Sequence, residues 1–564
     1  MSAPSYLEPL NHEQRQAVLH SGKPLLILAG AGSGKTRVIT TKIAWLIREK
    51  GMSPQSILAV TFTNKAAREM ADRAKQIDER AEGAMLRTFH SFGAWFLRRN
   101  GSLAGLNPAF VIYDDDDVIS LLSTIMENSP KAEVKKCAHN ISRAKDYFIT
   151  PEDPKLAKID GRKKFREIYA RYEERLTQIG NVDFGDLIKK PTEILRSHPE
   201  VAQRFRDRFK VIMVDEYQDA NVAQFFLLNE LCGPETYVCV VGDDDQSIYR
   251  FRGAEIKNIL EFPDRFNGTD IIRLERNYRS TGPILKAADS VVSCNHGRLG
   301  KTLRAEKGNG PLPVLAYLPN QDEEAAFCAE KIETSVKNGA AWSDWAVLYR
   351  MNAQSLGFET MFLRKGIPYR VVGSLKFYER EEIKDALALL ALLVNPRDEV
   401  AFRRVVNKPA RGIGPVTADK IIDTAEDHNG NLLEACKNLD ITQPKTAPSK
   451  ARTGLDEFIK VIEAGKNLLE EEMPAEGHGK DAEEQRQKDV KKKKSSALKK
   501  HSELMAGEGL SVCIAQIVKD SGIAEYHRAE DDVTANNRIS NLQELVNAAI
   551  EYPQSPEGLL QFLE

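Results

Sequence analysis

The chain has 564 residues, with 80 basic and 82 acidic side chains and a formal charge of −2, so no overall field draws it to nucleic acid or to an anionic membrane. Its 42% hydrophobic and 29% charged residues exclude general disorder. The length excludes a single core, because cores stop growing at roughly 250 to 300 residues and chains then divide into domains.

Met1 to Leu10 lacks a basic segment followed by an apolar one, so no secretory signal is predicted. Strand Leu25–Leu28 then runs into Ala29-Gly30-Ala31-Gly32-Ser33-Gly34-Lys35-Thr36 and a helical stretch, Arg37–Lys50. Small residues between a strand and a helix make a P-loop. Backbone N–H groups close around phosphates, Lys35 reaches the β/γ oxygens and Thr36 ligates Mg²⁺. A second strand is predicted at Ile57–Phe62, and after it a long stretch rich in Lys, Arg and Glu, such as Gly161–Gln178, reads as an inserted helical domain.

Strand Val211–Val214 ends on Asp215-Glu216, the acidic pair a P-loop ATPase needs. Asp215 is expected to hold the metal and Glu216 to act as general base on the attacking water. Further strands are predicted at Tyr237–Val241, Ile271–Leu274, Ala346–Tyr349 and Tyr369–Val372, and their alternation with helices predicts βα units around parallel sheets. A second helical stretch begins near Asp385. The polar run 488–500 (KDVKKKKSSALKK) has too little apolar content to order itself. The longest apolar run, Ala386 to Val394, is about half of the roughly 20 residues that span a bilayer, so a buried helix and no membrane contact are expected. Seven cysteines without a C-x-x-C pair do not read as a disulfide framework, which predicts a reducing, cytoplasmic setting.

The P-loop and acidic pair predict a nucleoside triphosphatase and leave its use open, since kinases, transporters and switches share them. Further motifs narrow the choice. Asn11-His-Glu-Gln14 precedes the P-loop and Arg37 follows it; Phe62-Thr63-Asn64-Lys65 and Thr88-Phe89-His90-Ser91 follow the second strand. Tyr217-Gln218-Asp219 continues the acidic pair, and Gly242-Asp243-Asp-Asp-Gln246-Ser-Ile-Tyr249-Arg250-Phe251-Arg252 and Asn277-Tyr278-Arg279 come after it. In this order they resemble the Q motif and motifs Ia, Ib, II, III and IV of the UvrD/Rep family of superfamily 1 DNA helicases.

The resemblance implies an α/β fold of two RecA-like parallel-sheet lobes, each with a mainly helical insertion. Its implied boundaries are 1–86 and 208–275 for the first lobe, 87–207 for its insertion, 276–384 and 549–564 for the second lobe, and 385–548 for its insertion. It also implies that Gln14 and Arg37 flank the adenine, that Tyr278 stacks on it, and that Gln246 and Arg279 reach the γ-phosphate. Phe62, Thr63, Asn64, His90, Tyr249, Phe251 and Arg252 would contact single-stranded DNA. The aromatics suit that role, because base stacking is worth about 1–3 kcal/mol per base. Arg411-Gly412-Ile413-Gly414 is similar to a glycine turn that can grip duplex backbone.

The implied activity is a 3′-to-5′ DNA helicase or translocase, driven by ATP and Mg²⁺ at single-strand/duplex junctions, in repair or replication restart with protein partners. No stretch resembles the family's motifs V and VI. The second lobe is therefore expected to be cut short, and the chain to bind ATP and DNA but hydrolyse poorly. A non-catalytic ATP- and DNA-binding fragment, or one subunit of a split helicase, is the alternative. A nuclease subunit lacks the carboxylate and lysine site it would need.

Overall fold

Ten strands carry the β structure of the computed structural model, which describes residues 4–249, 253–295, 298–372, 377–439, 450–470, 508–529 and 532–563. In chain order they are β1 (Leu25–Ala29), β2 (Ile57–Thr61), β3 (Met85–Thr88), β4 (Ile112–Tyr113), β5 (Val182–Asp183), β6 (Val211–Val214), β7 (Tyr237–Gly242), β8 (Asp270–Leu274), β9 (Arg276–Asn277) and β10 (Arg304–Ala305). Six of them form one parallel sheet in the order β3-β2-β6-β7-β1-β8. Every residue of β1, β2, β6 and β7 is buried, as parallel strands covered on both faces require.

The pleat sorts these side chains between two cores. Leu25, Ile27, Val211 and Met213 face one core with Val38, Ile43 and Met70, while Leu26, Leu28, Ile212 and Val214 face another with Phe92, Phe96, Phe205 and Leu227. Strand β7 lies between β6 and β1, with Val240 beside Val214 and Gly242 beside Leu28. The chain therefore leaves β1, β6 and β7 at neighbouring points on one sheet edge, the carboxyl edge where ligands bind in open α/β sheets.

A third core holds the insertion together, running from Tyr113 to Ile179 around the helices Asp115–Ile125, Lys131–Asp146 and Lys163–Ile179. Strand β3 and the helices Phe89–Asn100, Asp186–Ser197 and Pro199–Arg208 pack with the sheet. The C-terminal helices enclose a fourth core, with Glu381–Val394 at its centre and Leu389, Leu390 and Leu392 fully buried. The apolar run Ala386 to Val394 is thus a core helix. No described helix is long and apolar enough to cross a membrane.

Two strand expectations do not hold. Residues 346–349 and 369–372 form no ladder among the described residues, and Leu348 and Val372 are 90% and 83% exposed. An extended segment becomes a strand only where a neighbour takes its N–H and C=O groups. The adjacent helices Gln321–Lys337 and Ser355–Lys365 pack instead on each other, through Ala325, Ala329, Phe358 and Phe362. In the Arg411 turn the guanidinium is buried and donates to the carbonyls of Val405, Val406, Lys408 and Ser521, while Gly412 is exposed. It ties two parts of the helical domain together. Segment 488–500 lies outside the described residues.

Candidate active site

The loop after β1 is shaped by two glycines in the left-handed region, Gly32 at φ 64° and Gly34 at φ 87°. A Cβ at Gly32 would lie 2.6 Å from Arg279 Cβ, and one at Gly34 would lie 2.7 Å from Gln14 Nε2, so both positions need glycine for space as well as torsion. Ala29 and Gly30 are buried, Ala31 is half-buried, and the Ser33 hydroxyl donates to the Gly30 carbonyl at 2.7 Å. Lys35 and Thr36 open the helix Lys35–Arg48, with Arg37 exposed on its first turn.

Asn11 and Gln14 form a reciprocal cap at the start of the helix His12–Leu19, and the same side chains also reach outward. Gln14 Nε2 donates to the Ser33 carbonyl at 2.8 Å, and Asn11 Nδ2 donates to the Tyr278 hydroxyl at 2.9 Å. The cap and the inter-element contact are two uses of one pair of amides.

Beyond β6, Asp215 is buried and Glu216 adopts φ 50°, a left-handed conformation that costs a non-glycine residue on the order of 1–3 kcal/mol. The torsion turns the Glu216 carboxylate to Lys35, whose Nζ is 2.8 Å from Oε2. Gln218 Nε2 donates to the same oxygen at 2.9 Å, while Gln218 Oε1 accepts the Asp243 N–H at 2.9 Å. The Gln246 amide in turn donates to the Asp243 carboxylate. Lys35, Glu216, Gln218, Asp243 and Gln246 are thus one hydrogen-bonded chain from the loop after β1 to the loop after β7.

Burial, and then the Glu216 charge, push the Asp215 carboxyl up to about 7, and the same causes push Asp219 up to about 6. A carboxyl raised on folding binds its proton more tightly folded than unfolded, so it weakens the ligand-free fold as pH rises from the unfolded value of about 3.9 toward 7. Asp215→Asn is therefore expected to raise Tm, by a margin that widens from pH 5 to pH 7 and is constant above. Thermal melts across that range check it, and a margin independent of pH contradicts it. A buried carboxylate whose ionised form is only partly compensated, by Lys35 and the Glu216 N–H, suits a cation, so Asp215 together with Thr36 fits Mg²⁺.

The segment after β8 closes over the loop. Asn277 Nδ2 donates to the Ala31 carbonyl at 2.6 Å and the Tyr278 N–H to the Gly32 carbonyl at 3.0 Å. Asn277 Oδ1 accepts the N–H groups of Arg279 and Ser280 at 2.9 and 2.7 Å. Tyr278 and Arg279 are thereby brought to the P-loop by a buried asparagine.

On the other side of the sheet edge, Phe62 and Tyr249 stack with ring centroids 5.3 Å apart. The Thr63 hydroxyl accepts the Ala66 N–H as cap of the helix Asn64–Ile77, and Asn64 is exposed on its first turn. A groove beginning at Asn64 is lined by Arg68, His90, Phe184 and Tyr378. His90 meets the Phe184 edge at 5.9 Å, and burial pushes its imidazole down to about 4, so it is neutral at physiological pH. Phe184 is 52% exposed, and the aspartates near it in the chain are held by Lys145, 2.6 Å from Asp183 and 2.9 Å from Asp186. Phe251 and Arg252 lie outside the described residues.

A family profile described as the UvrD/REP helicase N-terminal domain matches residues 10–267, and one described as the UvrD-like helicase C-terminal domain matches 272–564. The chain belongs to the UvrD/REP helicase family. It is 37% identical over 559 residues to DNA helicase II of Escherichia coli strain K12, covering 98% of this chain and 72% of that protein. It is 40% identical over 493 residues to the ATP-dependent DNA helicase UvrD1 of Mycobacterium tuberculosis H37Rv, covering 84% and 63%. With the ATP-dependent DNA helicase PcrA of Staphylococcus aureus strain NCTC 8325 it shares 34% over 567 residues, covering 99% and 72%.

As a UvrD/REP member the chain is an ATP-dependent DNA helicase with an α/β fold built on a central parallel sheet. Several residues of its site escaped the sequence reading: Gln218 and Asp243 as links, Asn277 as the bridge, and Arg68, Phe184 and Tyr378 in the groove. Asn181-Val-Asp-Phe184-Gly-Asp186 carried a usable signal, a phenylalanine set in an acidic turn.

Proposed function

We propose that this helicase moves 3′-to-5′ along single-stranded DNA and unwinds duplex at junctions, using ATP with Mg²⁺. The observation that carries the reading is the chain from Lys35 through Glu216, Gln218 and Asp243 to Gln246, only three residues before Tyr249 on its stack with Phe62. A change at the phosphate loop therefore has a short covalent and hydrogen-bonded route to an aromatic pair.

In the ligand-free protein Lys35 neutralises Glu216. Phosphate oxygens of ATP compete for the Lys35 ammonium, which frees the Glu216 carboxylate to accept a proton from the attacking water. Backbone N–H groups from Gly30 to Thr36 bind the phosphates at the helix N-terminus. Gln14 and Arg37 border the adenine and Tyr278 stacks on it. Gln246 and Arg279 stabilise charge at the γ-phosphate. Thr36 and Asp215 would hold Mg²⁺, which when bound neutralises phosphate oxygens.

Phe62, Tyr249 and Phe251 grip bases, assisted by Thr63, Asn64, His90 and Arg252. Phe62→Ala is expected to weaken single-stranded DNA binding by about 1–3 kcal/mol, the worth of one stacked base, and to leave ATP binding intact. Fluorescence titrations of both ligands check it. The lobes are assigned as 1–86 with 208–275 and 276–384 with 549–564, the insertions as 87–207 and 385–548, and the setting is cytoplasmic DNA repair or replication restart.

Strand displacement on duplexes with a 3′ or a 5′ single-stranded tail tests the reading. Displacement with ATP from the 3′-tailed substrate alone is expected, at the reduced rate that the unmatched motifs V and VI imply. Equal displacement from both tails, or displacement without ATP, contradicts it.

A further inference from the structure

The three aspartates after β7 surround a lysine from a distant part of the chain. Lys301 Nζ lies 2.7 Å from Asp243, 2.5 Å from Asp244 and 2.6 Å from Asp245, and its side chain is 1% exposed. Arg298 adds a two-pronged contact to Asp245 at 2.6 and 2.9 Å, and the Leu299 N–H donates to Asp244 at 2.8 Å. Two cations thus answer three carboxylates, so the acidic run is a seat for Lys301 and has no vacancy for a metal ion.

The segment carrying Lys301 continues over the phosphate loop. The Thr302 N–H donates to the Glu275 carboxylate at 2.9 Å, Arg304 and Ala305 pair with Arg276 and Asn277, and Leu303 lies so close to Gly30 that a Cβ there would be 2.1 Å from Cδ2. Segment 298–305 therefore touches both the loop after β7 and the loop after β1. Asp243 is where those contacts converge: one carboxylate oxygen takes Lys301, the other takes the Gln246 amide, and its N–H goes to Gln218, which holds Glu216.

We propose that Lys301 is a positioning residue for ATP hydrolysis, holding Asp243 so that Gln246 and, through Gln218, Glu216 stand in their working places. The inference rests on the roles given above to Gln246 and Glu216. Lys301 itself touches neither nucleotide nor water. It acts through geometry: without its ammonium, Asp243 is pushed by Asp244 and Asp245 and the amide of Gln246 loses a fixed acceptor. Misplacement of a catalytic group by about 1 Å can cost on the order of 100-fold in rate.

The test is DNA-stimulated ATP hydrolysis by Lys301→Gln, Lys301→Arg, Gln246→Ala and the Lys301→Gln/Gln246→Ala double variant, each checked for folding by circular dichroism. Lys301→Gln is expected to lower kcat by about 10- to 100-fold with KM for ATP little changed, and Lys301→Arg to restore most of it. In the Gln246→Ala background, Lys301→Gln should cost less than it does in the native chain, the remainder passing through Gln218 to Glu216. Wild-type kcat in Lys301→Gln, or losses that multiply in the double variant, would overturn the proposal. If Lys301→Gln does not fold alone, combining it with Asp244→Asn and Asp245→Asn removes the unpaired charges and supports the same comparison. Should Gln246→Ala keep full kcat, the role of Gln246 falls, and with it the route proposed for Lys301. A loss in Gln246→Ala with none in Lys301→Gln removes Lys301 alone.

Discussion

Glu216→Gln is expected to bind ATP as the native chain does and to hydrolyse it about 10²- to 10⁴-fold more slowly in the presence of DNA, the range a positioned general base contributes. The substitution keeps the side chain's length and its ability to accept from Gln218, so the chain through Asp243 survives. What disappears is the basic oxygen that Lys35 now neutralises. One further consequence separates this prediction from a simple loss of fold. The Glu216 charge is the second cause of the raised Asp215 carboxyl, so its removal lets Asp215 ionise more readily and should reduce the stability that the ligand-free protein loses as pH rises from 5 to 7. Equilibrium nucleotide binding, steady-state hydrolysis and a thermal melt check the three parts. Unchanged turnover would remove Glu216 as the base.

Lys35→Ala is the second large effect. Hydrolysis is expected to fall by at least about 10²- to 10³-fold, because a charge aimed at developing phosphate charge in a partly buried site is worth that much or more. The loop should keep its shape, since Gly32, Gly34, Asn277 and Gln14 set it through backbone contacts in which Lys35 takes no part. The sign at Asp215 is opposite to that of Glu216→Gln. Lys35 lowers the Asp215 carboxyl, so its loss holds the proton more tightly and leaves two facing carboxylates without a cation. The variant should therefore be less stable at pH 8 than at pH 6 by more than the native chain is. Retained wild-type turnover would refute the phosphate site.

The parts of this molecule that were legible in sequence share a physical cause. Strands β1, β2, β6 and β7 are buried on both faces, so their apolar runs stand out, and their ends carry short motifs whose residue types are fixed by phosphate and proton chemistry. Strand β3 went unread because it is four residues long, lies at the sheet edge and contains Arg87. Residues 346–349 and 369–372 were misread for the converse reason: an apolar extended run does not reveal whether a neighbour exists to pair with it.

Contacts between distant segments were the least legible. Phe184 and Tyr378 meet His90 in one groove only because the fold brings residues near 64, 90, 184 and 378 together. Lys301 carried no signal in the sequence, and the three aspartates were read only as part of the run that leads to Gln246, until the fold set them side by side. Asn11 and Gln14 show a different limit. The resemblance placed Gln14 only beside the adenine, and in the fold the two amides also cap the helix through their oxygens while their nitrogens reach Ser33 and Tyr278.

Steady-state ATP hydrolysis by this chain, with and without single-stranded DNA, tests the central claim most directly, because the chain linking Lys35 to the loop of Tyr249 matters only if DNA and ATP sense one another. The account predicts a rate that rises and saturates with added DNA, and that in Phe62→Ala needs roughly 5- to 150-fold more DNA to reach half-saturation. A rate identical with and without DNA, in a chain that binds both ligands, would contradict it.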